Sequence, residues 1–120
     1  MSIQTKRVYE PASAADGYRV LIDRLWPRGM TKQKARIDEW ARELAPSDEL
    51  RRWFDHRPER FEHFKRRYIE ELRDHADAIS ALRRRGRVGT VTIVYAARDT
   101  EHSNAAVLAP IVRRGFPKNR

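Results

Sequence analysis

Asp23, Arg24, Trp26 and Arg28 follow directly on the apolar run Val20-Leu21-Ile22, in a segment interrupted by Pro27 and closed by Gly29. Arg24 and Arg28 suit a phosphate or carboxylate held through paired, charge-assisted hydrogen bonds, and Trp26 offers a flat apolar face for a base or ring. Asp23 suits two roles, orienting an arginine or acting as a general base if a pocket raises its pKa. The structural alternative is an Asp-Arg pair that pins a loop beneath a buried Trp26. A second polar group, Arg98, Asp99, His102 and Asn104, follows the β-branched stretch of residues 89–96. A carboxylate at Asp99 would fix the tautomer of His102 and raise its basicity, which is an oriented acid/base pair. Against that stands a helix-start or surface role for His102. Asp23, Asp99 and His102 are therefore the catalytic candidates, and Arg24, Trp26, Arg28, Arg98 and Asn104 the ligand-binding candidates.

Other chemistries find little in the chain. There is no cysteine, so disulfides, thiolate zinc sites and cysteine nucleophiles are excluded. His56, His63, His75 and His102 lack paired ligand spacing, and Glu59 with His63 or Glu71 with His75 read as surface neighbours one helical turn apart, so no metal site is expected. Ser47 and Ser103 carry no nucleophile-elbow sequence. Five glycines form no phosphate cradle or dinucleotide fingerprint, and no cofactor is implied.

Charge points to anionic partners. With 26 Lys and Arg against 17 Asp and Glu, the 120-residue chain carries a net charge of +9. That favours nucleotides, phosphorylated metabolites, nucleic acid or acidic surfaces, with plain solubility and an arginine-rich genome or heat-adapted host as the bland readings. Lys32, Lys34, Arg36, Arg51, Arg52, Arg83, Arg84, Arg85, Arg87, Arg113 and Arg114 could track phosphates without a helix-turn-helix, RNP or zinc-finger signature. Met1-Ser2-Ile3-Gln4-Thr5-Lys6-Arg7 lacks a signal-peptide core and no window reaches membrane-span length, so no membrane association and a cytoplasmic location are expected.

The positioning elements follow from periodicity. Residues 6–9 read as a short strand, 11–17 as a connection, and 18–23 as a strand apolar on both faces, hence central. Residues 29–36 read as a loop or irregular first turn. Ile37, Trp40, Ala41 and Leu44 recur at helical spacing, with Asp38 and Glu39 near the start, predicting a short amphipathic helix that ends at Ala45-Pro46. Ser47 before Asp48 and Glu49 is an N-cap with first-turn acids, opening a helix that carries Leu50, Trp53 and Phe54. After a break at His56-Arg57-Pro58, Phe61, Phe64, Tyr68, Leu72, Ala76, Ile79 and Leu82 keep helical spacing and predict one long helix, with Gly86 as its terminator inside a basic run that complements the helix dipole. Residues 89–96 are the best strand, and 104–114 a last helix that Pro110 should kink or split, before a frayed tail at 116–120.

Strands separated by helices predict a single α/β domain over residues 1–120, a small three-layer arrangement with a short parallel or mixed sheet covered by helices. The strands at 18–23 and 89–96 should lie parallel as neighbours, which brings the two polar groups together at their C-terminal ends, where open α/β sheets place ligands. The expected partner is a small anionic ligand, a nucleotide or phosphorylated metabolite, bound by the 23–29 loop with or without turnover. The alternative is a sequence-tolerant nucleic-acid-binding or regulatory protein, and a third reading, a scaffold without ligand, would be favoured by exposed tryptophans.

The strings Leu21-Ile22-Asp23-Arg24-Leu25-Trp26-Pro27-Arg28-Gly29, Leu44-Ala45-Pro46-Ser47 with Glu49-Leu50-Arg51, Phe64 with Tyr68 and Glu71-Leu72, and Val91-Thr92-Ile93-Val94-Tyr95-Ala96-Ala97 before Asp99 together resemble the YeaO-like family, a family of unknown function numbered 488 among such domains. The likeness spans nearly the whole chain. It implies a compact bacterial or archaeal α/β domain and candidate residues, and no reaction. Members usually place a Lys-Asp pair and a His/Asn-rich turn after the last strand, where this chain has Arg98-Asp99 and His102-Ser103-Asn104.

Overall fold

Thr90–Tyr95, β-branched at five positions and ending in an aromatic, is the strand around which the sheet is built. In the computed structural model, which describes residues 2–118, it lies between Ser2–Arg7 and Tyr18–Leu21, with the two-residue strand Glu39–Trp40 beyond the latter. Numbered along the chain these are β1, β2, β3 and β4, in the order β1-β4-β2-β3, and every neighbouring pair is parallel. Val20, Leu21 and Ile22 are all fully buried, as a central strand covered on both faces requires. Val20 and Ile22 join the larger core, whereas Leu21 joins Val8, Ala35 and Val94 on the opposite face.

The helices are α1 (Lys32–Ala35), α2 (Asp48–Phe54), α3 (Phe61–Arg73), α4 (Ala76–Val88) and α5 (Asn104–Arg114). The larger core gathers buried residues of α2 to α5 against one face of the sheet. The other face is closed by α1 and its loop, through Ala35, Trp26, Met30 and Ile37. This is the expected α/β domain, with a purely parallel sheet and a thin second layer. No helix among the described residues is long and apolar enough to cross a membrane.

Four helix expectations are corrected. The predicted helix at Ile37, Trp40, Ala41 and Leu44 is instead the edge strand β3 followed by a 3-10 turn at Arg42–Leu44. Pairing with β2 decides this: the amides of Asp38 and Ala41 donate to the carbonyls of Arg19 and Leu21 at 2.9 and 2.8 Å, and the Asp38 carboxylate accepts the Arg19 amide at 2.8 Å. The long helix is two helices. The amides of Asp74 and His75 reach back three residues to Glu71 and Leu72, closing α3 with 3-10 geometry and leaving Ala76 exposed rather than in the apolar stripe. Gly86 is buried inside α4, which stops at Gly89. Conversely, α5 runs unbroken through Pro110, because buried Val107, Leu108, Ile111 and Val112 hold it on both sides of the missing amide.

The first strand begins earlier than expected, at Ser2. The tail is tied down as far as it is described: Phe116 packs on the core beneath the Arg73 guanidinium, 5.1 Å from its ring, and Arg73 donates to the Pro117 carbonyl at 3.0 Å. Met1, Asn119 and Arg120, on which parts of the leader and tail readings fall, lie outside the described residues.

Candidate functional site

β2 and β4 end side by side, Leu21 opposite Val94, and the chain leaves the sheet at Ile22-Asp23 and at Ala96-Ala97. α5 starts above the same edge, capped by the Ser103 hydroxyl, which accepts the Ala106 amide at 3.2 Å. One carboxylate fastens all three segments. Asp23 accepts the Ala96 amide on Oδ2 and the Asn104 side-chain amide on Oδ1, both at 2.9 Å, while Asn104 also donates to the Ile22 carbonyl at 3.1 Å. Burial pushes the Asp23 carboxyl above the ordinary aspartate value, against the lowering effect of those two hydrogen bonds and of the nearby His56.

A cleft of about 320 Å³ opens at this edge. Its apolar walls include Leu25, Trp26, Pro27, Pro46, Phe54 and Phe64, and its polar groups are Asp23, Arg24, Arg28, Arg51, His56, His102, Ser103 and Asn104. Asp23, Arg24, Trp26, Arg28, His102 and Asn104 are thus brought together from segments some 80 residues apart, which is the geometry a parallel β2–β4 pair dictates. Arg98 and Asp99 do not line it.

Several details differ from the reading of the residues alone. Asp23 forms no ion pair with Arg24 or Arg28 among the described residues; its oxygens point to Asn104 and Ala96 instead. Arg24 is partly committed to the scaffold, donating to the Pro46 carbonyl at 3.3 Å and lying 3.6 Å from Asp48, which also holds Arg51 at 3.3 Å. The Arg28 guanidinium meets no acid among the described residues, while its backbone carbonyl is pinned by the Tyr9 hydroxyl at 2.9 Å. Trp26 is half-buried: its indole N–H donates to the Met30 carbonyl at 2.7 Å and its ring meets Trp40 edge-on at 5.4 Å. It therefore closes the loop on itself as well as walling the cleft.

Asp99 and His102 do pair, Oδ2 to Nδ1 at 2.8 Å, while Asp99 Oδ1 accepts the amides of Glu101 and His102, each at 3.0 Å. The His102 hydrogen bond holds the exposed Asp99 carboxyl below the usual carboxylate range. The far side of the imidazole meets Phe61 edge-on at 5.1 Å, so His102 presents an oriented ring at the rim.

Sequence reasoning missed His56, Arg51 and the aromatic wall of Phe54 and Phe64. His56 enters because Asp55 and His56 both adopt left-handed backbone, φ 48 and 54, immediately after α2. Two such non-glycine residues in succession are uncommon, and strain of this kind recurs at functional sites. A break at His56-Arg57-Pro58 was legible, but its hand was not. Glu71 is a second omission: it accepts the Ser47 amide and hydroxyl at 2.8 and 2.6 Å, while buried Tyr68 donates to the Leu44 carbonyl, so α3 clamps the segment that carries the Pro46 wall.

No group of three or more potential metal ligands occurs among the described residues. The sequence model of a family described as the inactive DUF488-N3 subclade matches residues 2–120. The chain is 46% identical over 110 residues to the uncharacterized protein Rv3073c of Mycobacterium tuberculosis, covering 92% of each chain. It is 42% identical over 113 residues to the uncharacterized protein YeaO of Escherichia coli, covering 94% of this chain and 98% of that one. No solved structure matches it.

Proposed function

The chain belongs to the YeaO-like DUF488 family, in the branch described as its inactive N3 subclade, and from that premise and the shape of the cleft we propose that it binds a small anionic ligand at the 23–29 loop. The observation that carries this reading is the convergence of Arg24, Arg28 and Arg51 around an apolar cleft at the C-terminal edge of a parallel sheet. A ligand that fits places its phosphate or carboxylate among the guanidiniums and a flat apolar body between Pro46, Phe54, Phe64 and the Trp26 loop. Arg28, with its carbonyl fixed and its side chain without an acidic partner among the described residues, is the residue with most to gain from an anion. Asp23 retains unused lone pairs after its two hydrogen bonds and can accept a hydrogen bond from an N–H or O–H on the ligand's ring.

Binding without turnover is the better supported form. The matching subclade is described as inactive. Asp23 is already spent on joining three segments, and the cleft offers no activated nucleophile. Thermal-shift titration with nucleoside monophosphates and phosphorylated sugars tests the proposal, since a ligand of the native state raises the apparent melting temperature. The expected result is a saturable, salt-tolerant shift with at least one compound class that disappears in Arg28→Ala. An Arg28→Ala variant that responds like the wild type, or a wild type indifferent to every compound, overturns it.

A further inference from the structure

The cationic residues do not form one continuous face: α1 carries Lys32 and Lys34 against one side of the sheet, and α2, α4 and α5 lie on the other. One group is nonetheless concentrated by the topology. α4 ends where β4 begins, and α5 returns along the sheet to the same N-terminal edge, so Arg83, Arg84, Arg85, Arg87, Arg113 and Arg114 lie in the last turns of two helices at the pole opposite the cleft. Contacts fix this placement. Arg113 donates to the Ile3 carbonyl at 3.0 and 3.2 Å, Arg85 lies 3.7 Å over the ring of Tyr18 at the start of β2, and Arg83 lies against Gly115.

Cations in the last turn complement the helix dipole, but no direct bond holds these side chains there. Among the described residues, none of Arg84, Arg85, Arg87 and Arg114 donates a hydrogen bond to a helix-end carbonyl, and no carboxylate lies within 4 Å of any of them. Glu39 and Asp38, the acids beside Tyr18, are engaged by the Tyr18 hydroxyl at 2.8 Å and the Arg19 amide at 2.8 Å. Four exposed guanidiniums at one end of a molecule of charge +9, none ion-paired among the described residues, make that end strongly positive.

We propose that this arginine pole binds the phosphate backbone of duplex nucleic acid, independently of the cleft. Guanidiniums suit phosphate through paired donors, and the spread of charge over two helix ends suits a regular phosphate array better than a single anion. A base-stacking, single-strand mode is disfavoured because Tyr18 and Phe116, the aromatics near these helix ends among the described residues, are already covered by Arg85 and Arg73. A membrane is disfavoured because Val88, 90% exposed, is the one large apolar side chain offered there among the described residues.

The test is fluorescence anisotropy of a labelled duplex and its single strand across a salt series, with wild type, Arg84→Gln/Arg87→Gln/Arg114→Gln, the same triple change to Lys, and Arg28→Ala. Each phosphate neutralised contributes about 0.9 to the slope of log K against log salt, so the Gln variant should lose about 2.7 from that slope and the Lys variant almost nothing. Circular dichroism melts show that the variants fold. Duplex should bind tighter than single strand, and Arg28→Ala should bind as wild type does. Absence of binding at about 50 mM salt, an unchanged slope in the Gln variant, a Lys variant as weak as the Gln variant, tighter binding to anionic vesicles than to duplex at equal phosphate, or loss in Arg28→Ala each overturns the proposal.

Discussion

Two aspartates show how the same side chain takes opposite roles. Asp16, 3% exposed, receives Lys6 at 3.0 Å, the Ser13 amide at 3.0 Å and buried Arg19 at 2.6 Å. Burial alone would raise its pKa, yet these partners outweigh burial and hold the carboxyl below its ordinary 3.8. Its stabilising contribution is therefore present above 3.8 and is lost as the pH falls through the lowered folded value. Asp23 is the reverse: its folded pKa is raised, so its contribution is full below 3.8 and is lost as the pH rises through the folded value. Urea denaturation from acid to neutral pH should show Asp23→Asn flattening the stability profile just above 3.8 and Asp16→Asn flattening it below. Asp16→Asn should also cost about 3–5 kcal/mol at neutral pH, because it leaves the buried Arg19 guanidinium without its counter-charge.

At the scale of elements, short local signals succeed where one segment decides its own geometry. The Ser47 cap is such a case, its hydroxyl accepting the Leu50 amide at 3.2 Å at the start of α2. Ser47→Ala should destabilise by about 0.5–2 kcal/mol, and because Glu71 also holds Ser47, the cleft wall at Pro46 should loosen with it. Backbone amide exchange over residues 44–50 reads that loosening. Gly17 governs the entry to β2. It has φ +65, and a Cβ there would stand 2.3 Å from the Thr90 carbonyl oxygen of the neighbouring strand. Gly17→Ala combines left-handed strain with overpacking and should cost about 2–6 kcal/mol in chemical denaturation. The free edge of β1 is managed both locally, by Glu10 accepting the Arg7 amide at 2.8 Å, and from a distance, by Arg113 covering the Ile3 carbonyl, which blunts edge-to-edge pairing.

For the whole molecule, parallel strands place two surfaces at opposite ends. The cleft lies at the C-terminal edge and the arginine pole at the N-terminal edge of the same strands. Ligand titration and duplex titration should accordingly be non-competitive. The apparent affinity for duplex should stay constant when a cleft ligand is saturating, and anisotropy competition measures this directly. The cleft variant and the pole variant should each remove one response and leave the other.

How much of this was readable in the chain depends on whether a feature is local. Periodicity and chemistry of consecutive residues placed β2, β4, α2 and α5, and the abrupt end of the Val20-Leu21-Ile22 run marked the loop that lines the cleft. The residues fixed these because burial pattern, cap and strand propensity agree within a few positions. Tertiary structure alone decided the rest. Ile37 to Leu44 has helical spacing but pairs with β2, because ladder bonds to Arg19 and Leu21 outweigh a weak local preference. The apolar stripe through Phe64, Tyr68, Leu72, Ile79 and Leu82 keeps one period across the break between α3 and α4, so no local signal marks it. Asp23 bonds Asn104 rather than an arginine, His56 reaches the cleft through left-handed backbone, and the arginines of α4 and α5 share one pole. Each depends on partners brought close by strand order, and sequence separation carries no information about that distance.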